Sequence, residues 1–232
     1  MCGRSSLTKT EKELEQRFLS TFYSEELEQY NPLPNYNVAP SHVMPIITNL
    51  DHDHFKAMRW GLIPSWAKDM KIGYNMINAR KETLLEKRSF KSAVEQRRCL
   101  IPSDGFYEWQ KSKKGKQAYH ISLIEQRLFA MAGLWDKWIS PDGVEVYSYT
   151  VITQEPNHIM TEIHDRMPAI LTPEQEALWL SNDLSPQQLL DMITPYDSNK
   201  MTAKKVSDRV NNVRNNDKKL LDNDIETQLS LF

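Results

Sequence analysis

Cysteine is scarce in this sequence, since Cys2 and Cys99 are the only two among 232 residues. A disulfide framework needs several cysteine pairs, and two cysteines alone make a poor zinc site. The scarcity therefore excludes a small disulfide-stapled scaffold and is typical of a protein from the reducing cytosol. We expect neither a metal nor another cofactor.

Long apolar runs are missing as well. The N-terminus has no hydrophobic stretch of signal-peptide length, and no segment approaches the roughly 20 apolar residues that cross a bilayer. Internal repeats and low-complexity linkers are also absent from the sequence. We therefore predict a soluble, cytoplasmic monomer without a membrane partner.

Neither charge sign dominates, because 29 basic and 31 acidic residues leave a formal net charge of −2. This balance does not predict nucleic-acid binding, so a surface for DNA or RNA would have to be a local basic patch. Apolar material, in contrast, is plentiful: 40% of the residues are hydrophobic, and six Trp, nine Tyr and seven Phe are among them. That amount supports a real core and excludes bulk disorder.

The pattern of apolar and turn-forming residues predicts one α+β domain with a largely antiparallel, barrel-like sheet flanked by short helices. Strand-like runs outnumber helical ones, and the two types do not alternate regularly. Capping residues and first-turn prolines predict helices at residues 10–22, 78–86, 156–163, 173–180 and 186–193. We expect the domain to span residues 2–212 and a polar tail to span 213–232, with poor order from Asn211 onward.

Cys2 carries the most distinctive chemistry. Methionine before a small residue is commonly removed, and we expect this to leave Cys2 with a free α-amine. Such an amine has a reference pKa of about 7.7–8.0, so a useful fraction is neutral and can condense with an aldehyde to an imine. The thiol of the same residue can then close onto the imine carbon and form a five-membered thiazolidine. An internal cysteine cannot do this, although Cys2 taken alone could equally be an inert second residue.

Seven further segments follow Cys2-Gly3-Arg4 in order. They are YNVAP at 36–40, RWGLIPSW at 59–66, NARKET at 78–83, RCLIP at 98–102, GFYEW at 105–109, AGLW at 132–135 and HDRMP at 164–168. Each segment alone is a weak signal, but the ordered set is highly specific. The set resembles the SRAP family, named for an SOS-response-associated peptidase, from residue 2 to about residue 212.

This resemblance implies an enzyme that binds single-stranded DNA and links the ring-opened sugar of an abasic site to Cys2 as a thiazolidine, which shields the lesion. Family members also remove their own N-terminal extension, here Met1 alone. The implied active-site partners of Cys2 are Asn78, Glu108 and His164. We expect the protein to associate with the nucleoid when it is bound to DNA.

The resemblance also implies a DNA-binding surface. It places Arg4, Arg80 and Arg166 on phosphates, and Asn37, Pro40 and Thr153 along the same cleft. The indole rings of Trp60, Trp66 and Trp109 are candidates for stacking on bases. Core packing is the default for a tryptophan, so we expect at least one of the three to be buried.

Residue chemistry agrees with these roles. Glu108 shares a strand face with Phe106, and an apolar wall raises the pKa of a carboxyl so that it can donate a proton near neutrality. The alternative is a surface glutamate paired with a lysine. Histidine side chains in general titrate near physiological pH, so a histidine at position 164 suits a proton shuttle, unless it is a structural residue bonded to the backbone. Asn78 and Arg80 begin a predicted helix, where free N–H groups attract phosphate, although Asn78 could be an N-cap alone.

Two other features have simpler explanations. Cys99 lies in an apolar strand and is expected to be a small buried hydrophobe. The acidic and histidine residues at 51–54 are expected to form a solvated loop rather than a metal site, because no distant partner motif accompanies them.

The last five residues, QLSLF, resemble the bacterial sliding-clamp-binding pentapeptide. Its contact residues would be Gln228, Leu229, Leu231 and Phe232, presented on a flexible polar tail. The hypothesis is that the tail recruits the protein to replication forks of a bacterium or a bacterial element. A coincidental hydrophobic end, or one that packs on its own domain, is the alternative.

Three other activities stay open at the sequence level. In a cysteine peptidase, Cys2 would act as a thiolate with His164 as its base. An abasic-site lyase would cleave the strand from the same imine by β-elimination. A non-covalent single-strand binder would leave Cys2 without a reactive role.

Overall fold

The computed structural model describes residues 2–113 and 115–222. The strands formed within these residues are β1 (Arg4–Leu7), β2 (Thr21–Phe22), β3 (Asn35–Val38), β4 (Val43–Thr48), β5 (His54–Trp60), β6 (Asn78–Arg80), β7 (Arg98–Ser103), β8 (Gly105–Ser112), β9 (Gly115–Leu123), β10 (Phe129–Ile139), β11 (Glu145–Gln154), β12 (Met167–Pro168), β13 (Ile170–Leu171) and β14 (Met201–Lys205). The α-helices are α1 (Glu11–Phe18), α2 (Arg88–Gln96), α3 (His158–Thr161), α4 (Pro173–Leu180) and α5 (Pro186–Met192).

Five strands close into a barrel, since each pairs with two neighbours in the cyclic order β4, β5, β11, β10, β7 and back to β4. Four of these pairings are antiparallel, and only β5 with β11 is parallel. The barrel interior holds a large apolar core that includes Ile46, Met58 and Leu134. The predicted α+β domain with a largely antiparallel, barrel-like sheet is confirmed.

A second sheet lies beside the barrel in the order β14, β9, β8, β1, β3, with every neighbouring pair antiparallel. One of its faces is covered by residues 206–222, which we call the C-terminal segment. Val206, Val210 and Leu220 of this segment are fully buried and pack with Tyr107 and Ala118 of the sheet.

The C-terminal segment corrects one prediction from the sequence. Residues 208–211 and 218–221 form short 3-10 helices, so the expected poor order is wrong for residues 211–222. The Asn-, Asp- and Lys-rich composition concealed two apolar anchors, Val210 and Leu220, that are spaced ten residues apart. Burial of these anchors offsets the entropy lost when the segment becomes ordered.

Local signals located most helices. Thr10 and Glu13 form the predicted capping box of α1, and Thr172 with Gln175 forms another in front of α4. The helix predicted at 156–163 is present only as the single turn of α3. Helix α2 was missed, although its buried face of Phe90, Ala93 and Val94 has helical spacing.

The helix predicted at 78–86 is wrong, because residues 78–80 form β6 and only residues 81–83 form a 3-10 helix. Strand β6 runs parallel to β11, with Asn78 opposite Val151 and Arg80 opposite Thr153. The hydrogen bonds and burial gained along this strand pair outweigh the local capping signal of Asn78.

Among the described helices, none combines the length and the apolarity that crossing a bilayer requires.

Candidate active site

Cys2 lies where the barrel meets the second sheet. It directly precedes β1, which pairs with β8 so that Arg4 is opposite Tyr107 and Ser5 is opposite Phe106. This register brings Cys2 and Glu108 to the same end of the strand pair. From the barrel, β6 brings Asn78 to the same place, and the loop after α3 brings His164.

The Cys2 side chain is fully buried in this position. Its carbonyl oxygen accepts a hydrogen bond from Nδ2 of Asn78 at 2.8 Å, and its thiol donates to the carbonyl oxygen of Arg4 across 3.8 Å. Burial, and next the negative charge of Glu108, raise the pKa of the thiol well above its usual value. The free protein therefore holds Cys2 as a neutral thiol in a fixed orientation.

Asn78 contributes two groups to the site. Its Nδ2 holds the Cys2 carbonyl, while its Oδ1 is buried and has no hydrogen-bond partner among the described residues. A buried acceptor of this kind is costly unless a ligand or water bonds to it. The strand position of Asn78, and not a helix terminus, is what directs both groups toward Cys2.

Glu108 is buried beside Cys2, with only 2% of its surface exposed. Burial raises the pKa of its carboxyl, and the nearby His164 opposes that rise. The predicted apolar environment of Glu108 is therefore present. A carboxyl with a raised pKa can donate a proton closer to neutral pH than an exposed glutamate can.

His164 has a distinct partner for each of its protonation states. Its Nδ1 accepts the backbone N–H of Arg166 at 3.0 Å, which places the proton of the neutral ring on Nε2. The same Nδ1 lies 2.9 Å from Oδ1 of Asp165. When the ring is charged, this oxygen can accept a hydrogen bond from the protonated Nδ1. A histidine that is supported in both forms suits proton transfer.

Arg166 is anchored within the site rather than extended into solvent. Its guanidinium makes two hydrogen bonds to the carboxylate of Glu82, at 2.9 and 2.8 Å, and a third to the carbonyl oxygen of Thr153 at 2.6 Å. Glu82 lies inside the NARKET segment, but the sequence alone assigned it no role. A phosphate on Arg166 would have to compete with Glu82 for the same fork of donors.

Arg4 and Asn37 face the C-terminal segment and not an open cleft. The Arg4 guanidinium donates to Oδ1 of Asn37 at 2.7 Å and to the carbonyl oxygens of Val210 and Asn211 at 2.5 and 3.1 Å. Nδ2 of Asn37, which is fully buried, donates to the carbonyl oxygens of Val210, Asn212 and Asn215. The polar groups predicted to contact DNA are therefore already bonded to the protein's own backbone.

The three tryptophans have different environments. Trp60 is buried and donates its Nε1–H to the carbonyl oxygen of Ile77, so it is a core residue rather than a stacking platform. Trp109 is half-buried and bonds to Oδ1 of Asn211 at 2.8 Å. Trp66 is 52% exposed, which leaves its ring free to contact a base.

The remaining predicted residues also include both exposed and buried side chains. Arg80 is exposed and Pro40 is half-buried, whereas Thr153 is fully buried on β11. Cys99 is buried in β7, as predicted. The expected solvated loop at 51–54 includes a 2.9 Å contact between Nδ1 of His54 and Oδ1 of Asp51.

The predicted clamp contacts at Gln228, Leu229, Leu231 and Phe232 lie outside the described residues.

Comparison with known proteins places these features in a family. A family model described as SOS response associated peptidase (SRAP) matches residues 1–213. The abasic site processing protein YoqW of Bacillus subtilis is 44% identical over 225 residues, which cover 96% of this chain and 99% of the relative. The abasic site processing protein HMCES of Xenopus tropicalis is 38% identical over 216 residues, which cover 79% of this chain and 64% of that protein.

A solved structure leads to the same result. The crystal structure of a protein from Bacteroides thetaiotaomicron superposes with a TM-score of 0.89 at 30% identity, covering 96% of this chain and 99% of the other. The sequence comparison and the fold comparison thus agree with each other. The chain belongs to the SOS response associated peptidase (SRAP) family.

Proposed function

We propose that this protein processes abasic sites in single-stranded DNA by trapping the ring-opened sugar on Cys2 as a thiazolidine. Two relatives that align with most of this chain's length are named as abasic site processing proteins, which supports the substrate. The observation that carries the mechanism is the 2.8 Å bond from Asn78 to the Cys2 carbonyl, with Glu108 close enough for its charge to raise the pKa of the thiol. The backbone of the reactive residue is thereby fixed beside a proton donor.

The reaction starts with hydrolysis of the Met1–Cys2 peptide bond by one water molecule, which frees the Cys2 amine. The neutral amine then adds to the sugar aldehyde at C1′. The resulting hydroxyl leaves as water after protonation, which gives an imine. The thiol adds to the imine carbon and its proton passes to the nitrogen, so the whole trapping step releases one water molecule.

The raised pKa of Cys2 supports this order of events. A thiolate is the strong sulfur nucleophile, and burial disfavours it here. The amine therefore reacts first, and the thiol closes the ring only after the imine carbon is within reach. The same fact argues against the alternative of a cysteine peptidase that depends on a standing thiolate.

Glu108 and His164 supply and accept protons in this scheme. The raised pKa of Glu108 allows its carboxylic acid to protonate the departing hydroxyl of the carbinolamine. His164, supported in both protonation states, moves protons during opening of the sugar ring. The open Oδ1 of Asn78 accepts a hydrogen bond from the sugar or the amine.

The DNA strand follows the exposed side of this site. Arg80 is exposed next to Thr153, and Trp66 offers a free ring for a base. Arg166 contacts the strand by exchanging Glu82 for a phosphate, while Pro40 lines the path. Arg4, Asn37, Trp60 and Thr153 support the site from inside the protein.

The test is incubation with a single strand that carries one abasic site, followed by a denaturing gel. We expect a slowly migrating band that is lost in Cys2→Ala and kept in Cys99→Ala, the matched control for the other buried cysteine. Mass spectrometry should give an adduct whose mass equals that of the protein without Met1 plus that of the DNA strand, less one water molecule.

Three outcomes would overturn the proposal. They are retention of the band in Cys2→Ala, equal capture of intact DNA, and an adduct that retains Met1. A shortened DNA strand without an adduct would instead identify a lyase.

A further inference from the structure

A second buried polar cluster lies on the second sheet, the one formed by β14, β9, β8, β1 and β3. It lies on the face of that sheet opposite to Cys2. Its centre is His120 on β9, which is directly opposite Tyr107 on β8 and Lys204 on β14. Directly opposite residues of neighbouring strands share a face, and successive residues alternate. His120 therefore faces away from Glu108, and the proposed reaction at Cys2 does not use it.

The hydrogen bonds of this cluster fix the tautomer of His120. Ser6 donates its hydroxyl proton to Oδ1 of Asp104 at 2.6 Å, so its oxygen accepts from Nε2 of His120 at 3.0 Å. The other carboxylate oxygen of Asp104 accepts from the backbone N–H of Thr8 at 2.7 Å and from the Thr8 hydroxyl. Three donors thus compensate the charge of Asp104, and the proton of the neutral ring is on Nε2.

The imidazole ring is held rigidly in this orientation. Tyr107 contacts it with ring centroids 4.9 Å apart. Gly105 lies directly beneath it, and a Cβ atom at that position would come within 2.1 Å of Nε2. The glycine of the GFYEW segment is therefore required for the ring to sit where it does.

Nδ1 of His120 is the group that this packing leaves available. It has no hydrogen-bond partner among the described residues, although the ring is only 9% exposed and lines a cavity of about 550 Å³. Burial lowers the pKa of His120, so at neutral pH this nitrogen presents a lone pair to the cavity. An acceptor that the protein does not satisfy is available to a hydrogen-bond donor of a bound ligand.

Three cations line the same cavity, together with Asp104, whose charge is compensated by the three donors described above. Lys204 extends from β14 beside His120, Arg127 comes from the loop before β10, and Lys9 follows β1. Within the described residues, only Lys9 of these three has an ion-pair partner, Glu13 at 3.4 Å. The hydroxyls of Ser122 and Thr202, which are opposite each other, also line the cavity.

We propose that this cavity binds a phosphate monoester of a sugar or nucleoside. The phosphate would lie between Lys204 and Arg127, where charge-assisted hydrogen bonds are strongest. A sugar hydroxyl or base N–H would donate to Nδ1 of His120. The volume falls in the range of small-molecule sites. Free nucleotides and the phosphorylated end of a DNA strand share this chemistry.

The test is calorimetric titration of the full chain with thymidine 5′-monophosphate, with thymidine as the uncharged comparison. We expect saturable binding of the monophosphate and at least about tenfold weaker binding in Lys204→Ala or Arg127→Ala, since each loses a charged hydrogen bond. Both side chains are exposed, so the fold should persist. Lys205→Ala, the next residue of β14, is the matched control and should bind as the wild type does.

A second measurement tests the contact with His120. Long-range ¹H–¹⁵N NMR should show a shift of the His120 Nδ1 signal as thymidine 5′-monophosphate saturates the protein, and no shift in Arg127→Ala at the same concentration. Cys2→Ala should bind normally, which separates this site from abasic-site trapping.

Two oligothymidylates, with and without a 5′-phosphate, identify the source of the ligand. Binding of the free monophosphate alone indicates a nucleotide site, and binding of only the 5′-phosphorylated strand indicates a DNA-end site. Equal binding of thymidine or of the unphosphorylated strand, unchanged affinity in Lys204→Ala and Arg127→Ala, or no saturable binding would each overturn the proposal.

Discussion

At the scale of single residues, the two cysteines differ in their neighbours and not in the acidity of their thiols. Both are fully buried, and burial raises the pKa of both thiols. Acidity of the thiol therefore does not distinguish Cys2 from Cys99. The distinction lies in the neighbours of Cys2, since Asn78 holds its carbonyl and the charge of Glu108 acts on its thiol. Cys99 is enclosed in the barrel wall.

The bond from Asn78 to the Cys2 carbonyl gives a first prediction. Asn78→Ala should slow crosslinking by about tenfold or more, because the reactive residue loses the contact that orients it. Single-turnover gel assays at saturating DNA measure the rate. Asn199→Ala, which removes an exposed asparagine amide far from Cys2 in the chain, is the control. An unchanged rate in Asn78→Ala would show that the bond has no role in positioning.

Glu108 gives a prediction that combines stability and activity. Its folded-state pKa lies above the unfolded value, so the folded state binds more protons and loses stability as pH rises from about 4.5 through the raised value. Glu108→Gln removes this loss, and its melting temperature should exceed that of the wild type by more at pH 8 than at pH 4. Crosslinking should fall on the order of 100-fold, because the general acid is gone.

Melting curves across this pH range and gel assays check both halves of that prediction. The exposed Glu125→Gln is the control and should change neither quantity. A stability difference that is the same at pH 4 and pH 8 would contradict the explanation from burial.

At the scale of elements, the C-terminal segment is a structural part of the active site. Asn37 bonds to three of its carbonyl oxygens and to Arg4, which is two residues from Cys2. The segment therefore limits the positions that β1 can adopt. Most polar side chains of the segment face solvent, while its backbone carbonyl groups bind Arg4 and Asn37.

A third prediction follows for Asn37. Asn37→Ala should destabilise the fold by about 1–3 kcal/mol, because buried carbonyl groups lose their donor. Hydrogen exchange should increase in residues 206–222, and crosslinking should slow as Arg4 loosens. Asn212→Ala keeps the backbone carbonyl that Asn37 contacts and is the control. Normal exchange in Asn37→Ala would rule out its anchoring role.

The elements also show what the sequence could predict. Capping boxes are local signals, and they located α1 and α4. Strand β6 was mistaken for a helix because its state is decided by pairing with β11, which is distant in the chain. The partners of Arg4 were equally inaccessible, since they are backbone carbonyls and leave no mark on residue type.

At the scale of the whole molecule, residues 2–222 contain the complete candidate site. The barrel and the second sheet meet at Cys2, and the described chain supplies all of the contacts discussed above. We propose that the predicted domain, residues 2–212, forms the catalytic unit together with the rest of the C-terminal segment, which ends at residue 222. The tail beyond residue 222 would then serve recruitment by a bacterial sliding clamp.

Removal of residues 223–232 tests whether catalysis and recruitment reside in these separate parts of the chain. Crosslinking of free abasic DNA should remain within about twofold of the wild type, because every contact of the candidate site described above lies within residues 2–222. Retention on an immobilised bacterial clamp should disappear, and a Gln228→Ala/Phe232→Ala variant of the full chain should behave in the same way. Clamp retention that survives the deletion would place the docking surface elsewhere.

The family was easier to predict from the sequence than the buried contacts that support the candidate site. Ordered segments such as NARKET and GFYEW identified the family. The roles assigned to Cys2, Glu108 and His164 stay predictions. The roles of buried residues were predicted less well. Trp60 has the same side chain as Trp66, and only the tertiary packing places one in the core and the other at the surface.

The bond from Arg4 to Val210 spans 206 positions of the chain. During translation the reactive end leaves the ribosome first, and the residues that frame it are among the last to follow. A nascent chain thus carries Cys2 long before it has the strand partners and carbonyl anchors that orient it. Incompletely synthesised polypeptides should accordingly be poor at capturing aldehydes, and competence should arise abruptly once residues 210–215 have emerged.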